Sequence, residues 1–153
     1  MNEYKFNATN LIAEAFEKLD INFDVVSRQS SEQVLVFLSV NSGPHVTMRF
    51  ISRDNDNDVA VRIFCLISNI PREKRTRVRD VCNALNNKIR YLKFSLDTDG
   101  DIQVMYDFPV CTPDDGIGEM ALEMLARTQM ALDSEYNLFM KALYTEEPLE
   151  DLE

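Results

Sequence analysis

The chain has no tryptophan, one histidine, four glycines, five prolines and three cysteines in 153 residues. So little Gly and Pro excludes a collagen-like or low-complexity chain, and 45% hydrophobic content describes one that folds around a core. No window approaches the roughly 18 uninterrupted apolar residues of a membrane span. The N-terminus, Met1-Asn2-Glu3-Tyr4-Lys5, opens into an amphipathic pattern and has no signal-peptide core. Cys65, Cys82 and Cys111 are odd in number and lack metal-ligand spacing. Cys65 and Cys82 lie within apolar patterns, as small core residues of a reducing compartment do, so the expected location is the cytoplasm.

Positive charge is also in short supply. Sixteen Lys and Arg stand against 26 Asp and Glu, a net charge of −10 that argues against non-specific binding to nucleic acid or anionic membrane. The bases cluster all the same. Arg72, Lys74, Arg75, Arg77, Arg79, Lys88 and Arg90 face only Glu73 and Asp80 in their stretch, while the tail "TEEPLEDLE" carries five acids and no base. That polarity serves self-association or a partner, or it is a solvated helix face.

What is present is a clear change of period along the chain. Ala8, Leu11, Ile12, Ala15, Phe16 and Leu19 recur at helical spacing and predict a helix over about Phe6 to Leu19. Strands follow at Phe23–Arg28, Gln33–Val40, Val46–Ser52 and Val59–Ile67, separated by "SSE", "NSGP" and "RDNDND" turns. In the last of these, alternation puts Val59, Val61, Ile63, Cys65 and Ile67 on one side. Pro71 opens a second helix whose stripe is Val78, Val81, Cys82, Leu85 and Ile89. Strands at Tyr91–Leu96 and Ile102–Phe108 come next, and a long helix runs from near Ile117 to Tyr144. With no repeat and no linker, the reading is one α+β domain over residues 1–153, an antiparallel sheet with helices packed on it in the order helix, strands, helix, β-hairpin, helix. Its folded core covers about 6–144 and its acidic tail 145–153.

The strands are not cleanly polar on their second side. Leu35, Phe37, Ile51, Phe64 and Leu66 fall there, an apolar set that the last helix, a second subunit or a client must cover. The methionines of the last helix, Met120, Met124 and Met140, suit a core more than an adaptable contact surface.

Chemistry-bearing motifs are scarce. In "LDTDGDIQV" (Leu96–Val104) the glycine stands fourth from Asp97 and Phe108 stands twelfth, which does not fit a calcium loop; Asp and Gly between two strands suit a hairpin tip. Asp114 and Asp115 precede the last helix, where acids cap free N–H groups. His45 follows a turn proline with no nucleophile-elbow signature. No residue is singled out as catalytic or as a metal ligand, and nothing calls for a cofactor. The arginines of "PREKRTRVR", chiefly Arg72, Arg75 and Arg79, are the candidates for gripping a phosphate or carboxylate.

Over "VCNALNNKIRYLKFSLDTDGDIQVMYDFPV", three asparagines (Asn83, Asn86, Asn87) end the basic helix, an aspartate-glycine turn (Asp97 to Asp101) joins two strands, and Asp107 follows. This stretch, with the methionine-bearing turns of "GEMALEMLARTQMAL", resembles the YbjN-like family, also called the bacterial sensory transduction regulator domain. The likeness extends in layout over Leu11 to Tyr144, although the tryptophan often found before the asparagines is absent. It implies a fold similar to type III secretion chaperones and a cytosolic, non-catalytic, dimeric protein of poorly defined role. The expected function is thus a protein-binding module, chaperone-like or regulatory, acting as a homodimer on a protein or peptide client. The alternative is a sensor of a small anion at the basic helix 72–90; nucleic acid and membrane are not expected partners.

Overall fold

The computed structural model describes residues 4–41, 43–53, 58–110 and 116–149. Its elements are helix α1 (Asn7–Lys18), strands β1 (Asp24–Ser27), β2 (Ser31–Ser39), β3 (His45–Arg53) and β4 (Asp58–Ile67), helix α2 (Arg75–Lys88), strands β5 (Lys93–Leu96) and β6 (Ile102–Pro109), and helix α3 (Ile117–Tyr144). Pro71 precedes a single 3₁₀ turn, Arg72–Lys74, that leads into α2. The six strands form one antiparallel sheet in the order β1-β2-β3-β4-β6-β5. The first four strands follow one another as hairpins, and α2 then carries the chain across so that the last hairpin joins with β6 beside β4.

All three helices bury their apolar stripes on the same side of the sheet. From below come Val34, Val36, Leu38, Met48, Phe50, Val59, Val61 and Val104; from above come Ile12 and Phe16 of α1, Val78 and Leu85 of α2, and Met124, Leu132 and Phe139 of α3. Phe16 meets Phe50 edge-on at 5.5 Å between ring centroids, an arrangement the ring quadrupoles favour. Helix α3, about 42 Å long at 1.5 Å per residue, packs against both α1 and α2. It crosses α1 at Gly118, where an added Cβ would stand 2.9 Å from that of Ala15 and 3.0 Å from the Leu11 carbonyl oxygen. Only a residue without a side chain permits that approach.

Two polar devices fix the ends of this layer. The buried carboxylate of Glu32 accepts the backbone N–H groups of Phe6 (2.7 Å) and Lys5 (3.1 Å) and the Ser27 hydroxyl (2.8 Å), tying the start of α1 to the sheet. At the other end, Arg77 of α2 donates to the carbonyls of Ala142, Lys141 and Glu147, closing the free C-terminus of α3, while Lys74 holds the Glu146 carboxylate. The Lys74 bond holds the Glu146 carboxyl below its ordinary range. The contrast between basic helix and acidic tail is therefore satisfied partly within the chain, and Leu149 packs against the core beyond the expected limit of 144.

Burial alone would raise the Glu32 pKa, but the Lys5 and Phe6 N–H groups and the Ser27 hydroxyl outweigh it and hold the group below its ordinary 4.5. A depressed folded-state pKa stabilises the fold fully above 4.5, and the stabilisation disappears as pH falls through the folded value. Glu32→Gln is expected to cost about 2 kcal/mol in urea unfolding at pH 7. Its deficit against the unmutated chain should shrink as the pH is taken below 4.5; a deficit that does not change with pH would remove Glu32 from this role.

Candidate functional site: the open face of the sheet

Because the helices share one side, the residues of odd number in β2 and β3 point away from them. Register places Leu35 beside Arg49 and Arg49 beside Arg62, Gln33 beside Ile51 and Ile51 beside Ala60, and Phe37 beside Thr47. Phe64 lies on the same side, under the Arg49 guanidinium at 5.7 Å from the ring centroid. Phe37 is 60% exposed and Phe64 41%, whereas Leu35 is half-buried. Ile51, flanked by Gln33, Arg49 and Arg53, is buried although no helix of the described residues covers it. Long polar side chains lie flat over the face: Arg49 donates to Gln33 Oε1 at 2.8 Å, and Arg62 grips Asp107 through both terminal nitrogens. Such side chains cover apolar surface with their stems while the charge stays wet.

Four of the five expected contact residues, Leu35, Phe37, Ile51 and Phe64, thus share this face. Leu66 does not: it is buried in the core. The reason is a bulge in β4. Ile63 pairs with Val104 and Ile67 with Ile102, so four steps along β4 pass two along β6. The inserted residues break the period of two, turning Leu66 inward and Cys65, expected inside, out to solvent. Cys82 is buried as expected, and its thiol is pushed up to about 11 by burial. Cys111, Asp114 and Asp115 lie outside the described residues.

The three arginines of the anion reading do not converge. Arg75 is turned under the aspartate turn, donating to the carbonyls of Ile70 (3.0 Å), Thr98 (3.4 Å) and Asp99 (3.5 Å), while Arg72 and Arg79 are exposed. The turn itself is the expected hairpin tip. Gly100 has φ +88°, and a Cβ there would stand 2.5 Å from Arg75 Nη2. The Asp97 carboxylate accepts the N–H groups of Asp101 and Asp99, both at 3.0 Å, and the Asp101 bond above all holds it below the usual carboxylate range. Of the helix-ending asparagines, Asn86 has a definite task. Its amide pairs with both the N–H (2.7 Å) and the C=O (2.9 Å) of Phe94, docking α2 on the outer edge of β5.

Ser39 and His45 meet across the β2–β3 hairpin, Oγ to Nδ1 at 2.9 Å, in an exposed position. That is the distance of a nucleophile–base pair. Among the described residues, however, no carboxylate bonds the other ring nitrogen to orient it. Reading the sequence alone missed the arginines of the open face. Arg49 and Arg62 alternate in phase with Leu35, Ile51 and Phe64, and that phase was the available signal.

Residues 9–128 match the model of the YbjN family, described as "Putative bacterial sensory transduction regulator". No curated protein matches the chain. Among solved structures, the chain is similar to the Yersinia pestis type III secretion chaperone SycH, solved in complex with a stable fragment of YscM2. The TM-score is 0.45 and the identity 11%, over 82% of this chain and 98% of that one.

The β4 bulge makes a direct prediction for thiol labelling. In a Cys111→Ser background, Cys65 should react with a maleimide in the native protein, and Cys82 should react only on unfolding. Protection of Cys65 would mean that β4 runs without the bulge.

Proposed function

We propose that this chain, which belongs to the YbjN family, acts as a non-catalytic protein-binding module of the cytoplasm, one domain that binds through the open face of its sheet, and that a second copy of itself is the first partner of that face. The observation that carries the reading is the exposure of Phe37 (60%) and Phe64 (41%) on a side where, among the described residues, no helix lies. Two exposed phenylalanines beside half-buried aliphatic residues are surface that water disfavours and that a partner's apolar surface would relieve.

Size and charge both favour a second copy. The long strands β2 to β4 and β6 span about 30 Å by roughly 19 Å at the usual rise and spacing, so two faces packed together would bury about 1,100 Å². That clears the roughly 1,000 Å² a specific interface needs, and sheets pack face to face readily at about 10 Å. Two chains of charge −10 repel, yet among the described residues of this face Arg49, Arg53, Arg62 and Lys93 stand against only Asp24, Asp58 and Asp107. Copies would meet where the repulsion is smallest. A protein client with an apolar stripe would use the same surface. A sensor built on Arg72, Arg75 and Arg79 has less behind it, since the three arginines do not converge and Arg75 Nε, Nη1 and Nη2 each already donate to a carbonyl.

The test is light scattering across a dilution series. The unmutated chain should give the mass of a dimer. Phe37→Ser combined with Phe64→Ser should weaken association at least 100-fold, about 3 kcal/mol, as loss of central aromatic contacts does. Because both rings are exposed in the single chain, the unfolding midpoint of the monomer should stay nearly unchanged. A strict monomer, or a variant that dimerises as before, would overturn self-association through this face.

A further inference from the structure

Most bases between Arg62 and Lys93 are occupied within the chain. Lys74 and Arg77 hold the end of α3, Arg75 the aspartate turn, and Lys88 bonds Glu135 of α3. Arg90 is exposed and, among the described residues, bonds to no side chain or carbonyl. It stands at a cleft of about 300 Å³ whose lining includes Arg62, Lys93, Asp107, Tyr91 and Tyr106.

The cleft has a topological cause. β5 begins at Lys93, opposite Met105, whereas β6 continues to Pro109. Beyond that step, among the described residues, no strand lies beside β6 on its outer edge, and the chain from the end of α2 crosses the gap instead. Tyr91, on that crossing, is 41% exposed but held in place. Its ring meets the Tyr106 ring at 5.9 Å and 86°, and the Arg127 guanidinium lies over it at 4.8 Å. Two rings in fixed edge-to-face contact give the cleft an apolar wall.

The charges divide by availability. Both terminal nitrogens of Arg62 are taken by Asp107, and its side chain is only 17% exposed, so it is a fixed positive anchor with its charge matched. Lys93 Nζ donates to the carbonyls of Asn86 (2.9 Å) and Ile89 (2.8 Å), two of its three protons. The third proton of Lys93 and the whole fork of Arg90 remain for a ligand. Three bases against one acid make this a positive locus on a chain of charge −10, where an anion is drawn in.

We propose that this cleft binds a small anion carried on a flat apolar body, of the class of an aryl carboxylate, with the carboxylate in the Arg90 fork beside Lys93 and the ring against Tyr91 and Tyr106. Arg and a carboxylate match in planar, two-pronged geometry, and the ring pair supplies the stacking wall. The volume sits at the lower end of the roughly 300–1,000 Å³ typical of small-molecule sites, which suits one ring and its acid group. This site is separate from Arg72, Arg75 and Arg79, and because Arg62, Lys93 and Asp107 also belong to the open face, it lies at the margin of the surface proposed for a second copy.

The experiment is a titration of the full chain with benzoate, followed by the aromatic NMR signals of Tyr91 and Tyr106, with inorganic phosphate at equal ionic strength as the second probe. Saturable shifts at both tyrosines are expected, with phosphate binding at least tenfold more weakly because it has no ring. Arg90→Ala should raise the benzoate dissociation constant at least tenfold, while Arg79→Ala, an exposed arginine of α2 away from the cleft, should leave it unchanged. Shifts that fail to saturate, or equal weakening by both substitutions, would mean only diffuse charge attraction and overturn the site. Equal affinity for phosphate and benzoate would overturn the ring contact.

Discussion

The crossing of α1 over α3 at Gly118 governs the rest of the molecule. Once those helices are locked together at van der Waals limits, they can lie on only one side of the sheet. α2 joins them there because Val78, Val81, Cys82 and Leu85 need the same core. The strands then bury one side chain in two and leave the alternate set to solvent. An antiparallel sheet tolerates this, but its outer side is usually polar. Here Phe37 and Phe64 depart from that rule, and Arg49 and Arg62 temper the departure by lying across the face.

The polar residues of the stretch that carries the family likeness hold the last hairpin in place. Asn86 docks β5, Asp97 and Gly100 shape the tip, Arg75 reaches in from α2 to fill the space beneath that glycine, and Asp107 fixes Arg62. These contacts set where β5 stops short of β6. A stretch that looks like a signature of function is in large part the hinge-work of a hairpin, and the cleft beside Tyr91 is its by-product.

Periodicity was enough to find the elements. The stripe from Ile117 to Leu143 gave α3 its observed limits, and the alternation of Val34, Val36 and Leu38 gave β2 its buried side. Two things were not legible. Nothing in "RIFCLI" distinguishes a strand from a strand with two inserted residues, because the bulge is decided by what β6 offers opposite it; Leu66 and Cys65 changed sides for that reason. Nor could the sequence say which side of the sheet the last helix would take, since both sides offered apolar residues. The partners of single charges were equally hidden. Arg75 looked like its neighbours Arg72 and Arg79 until the turn was seen closing over it.

The amide of Asn86 has a consequence for how copies of this protein can assemble. By taking both the N–H and the C=O of Phe94, it leaves the outer edge of β5 with little to offer an incoming strand. Growth by adding sheet to sheet edgewise would repeat without limit and yield fibres. With those two groups taken, that route is obstructed at this edge. A side chain far from the exposed phenylalanines therefore guards the sheet against becoming an endless ribbon.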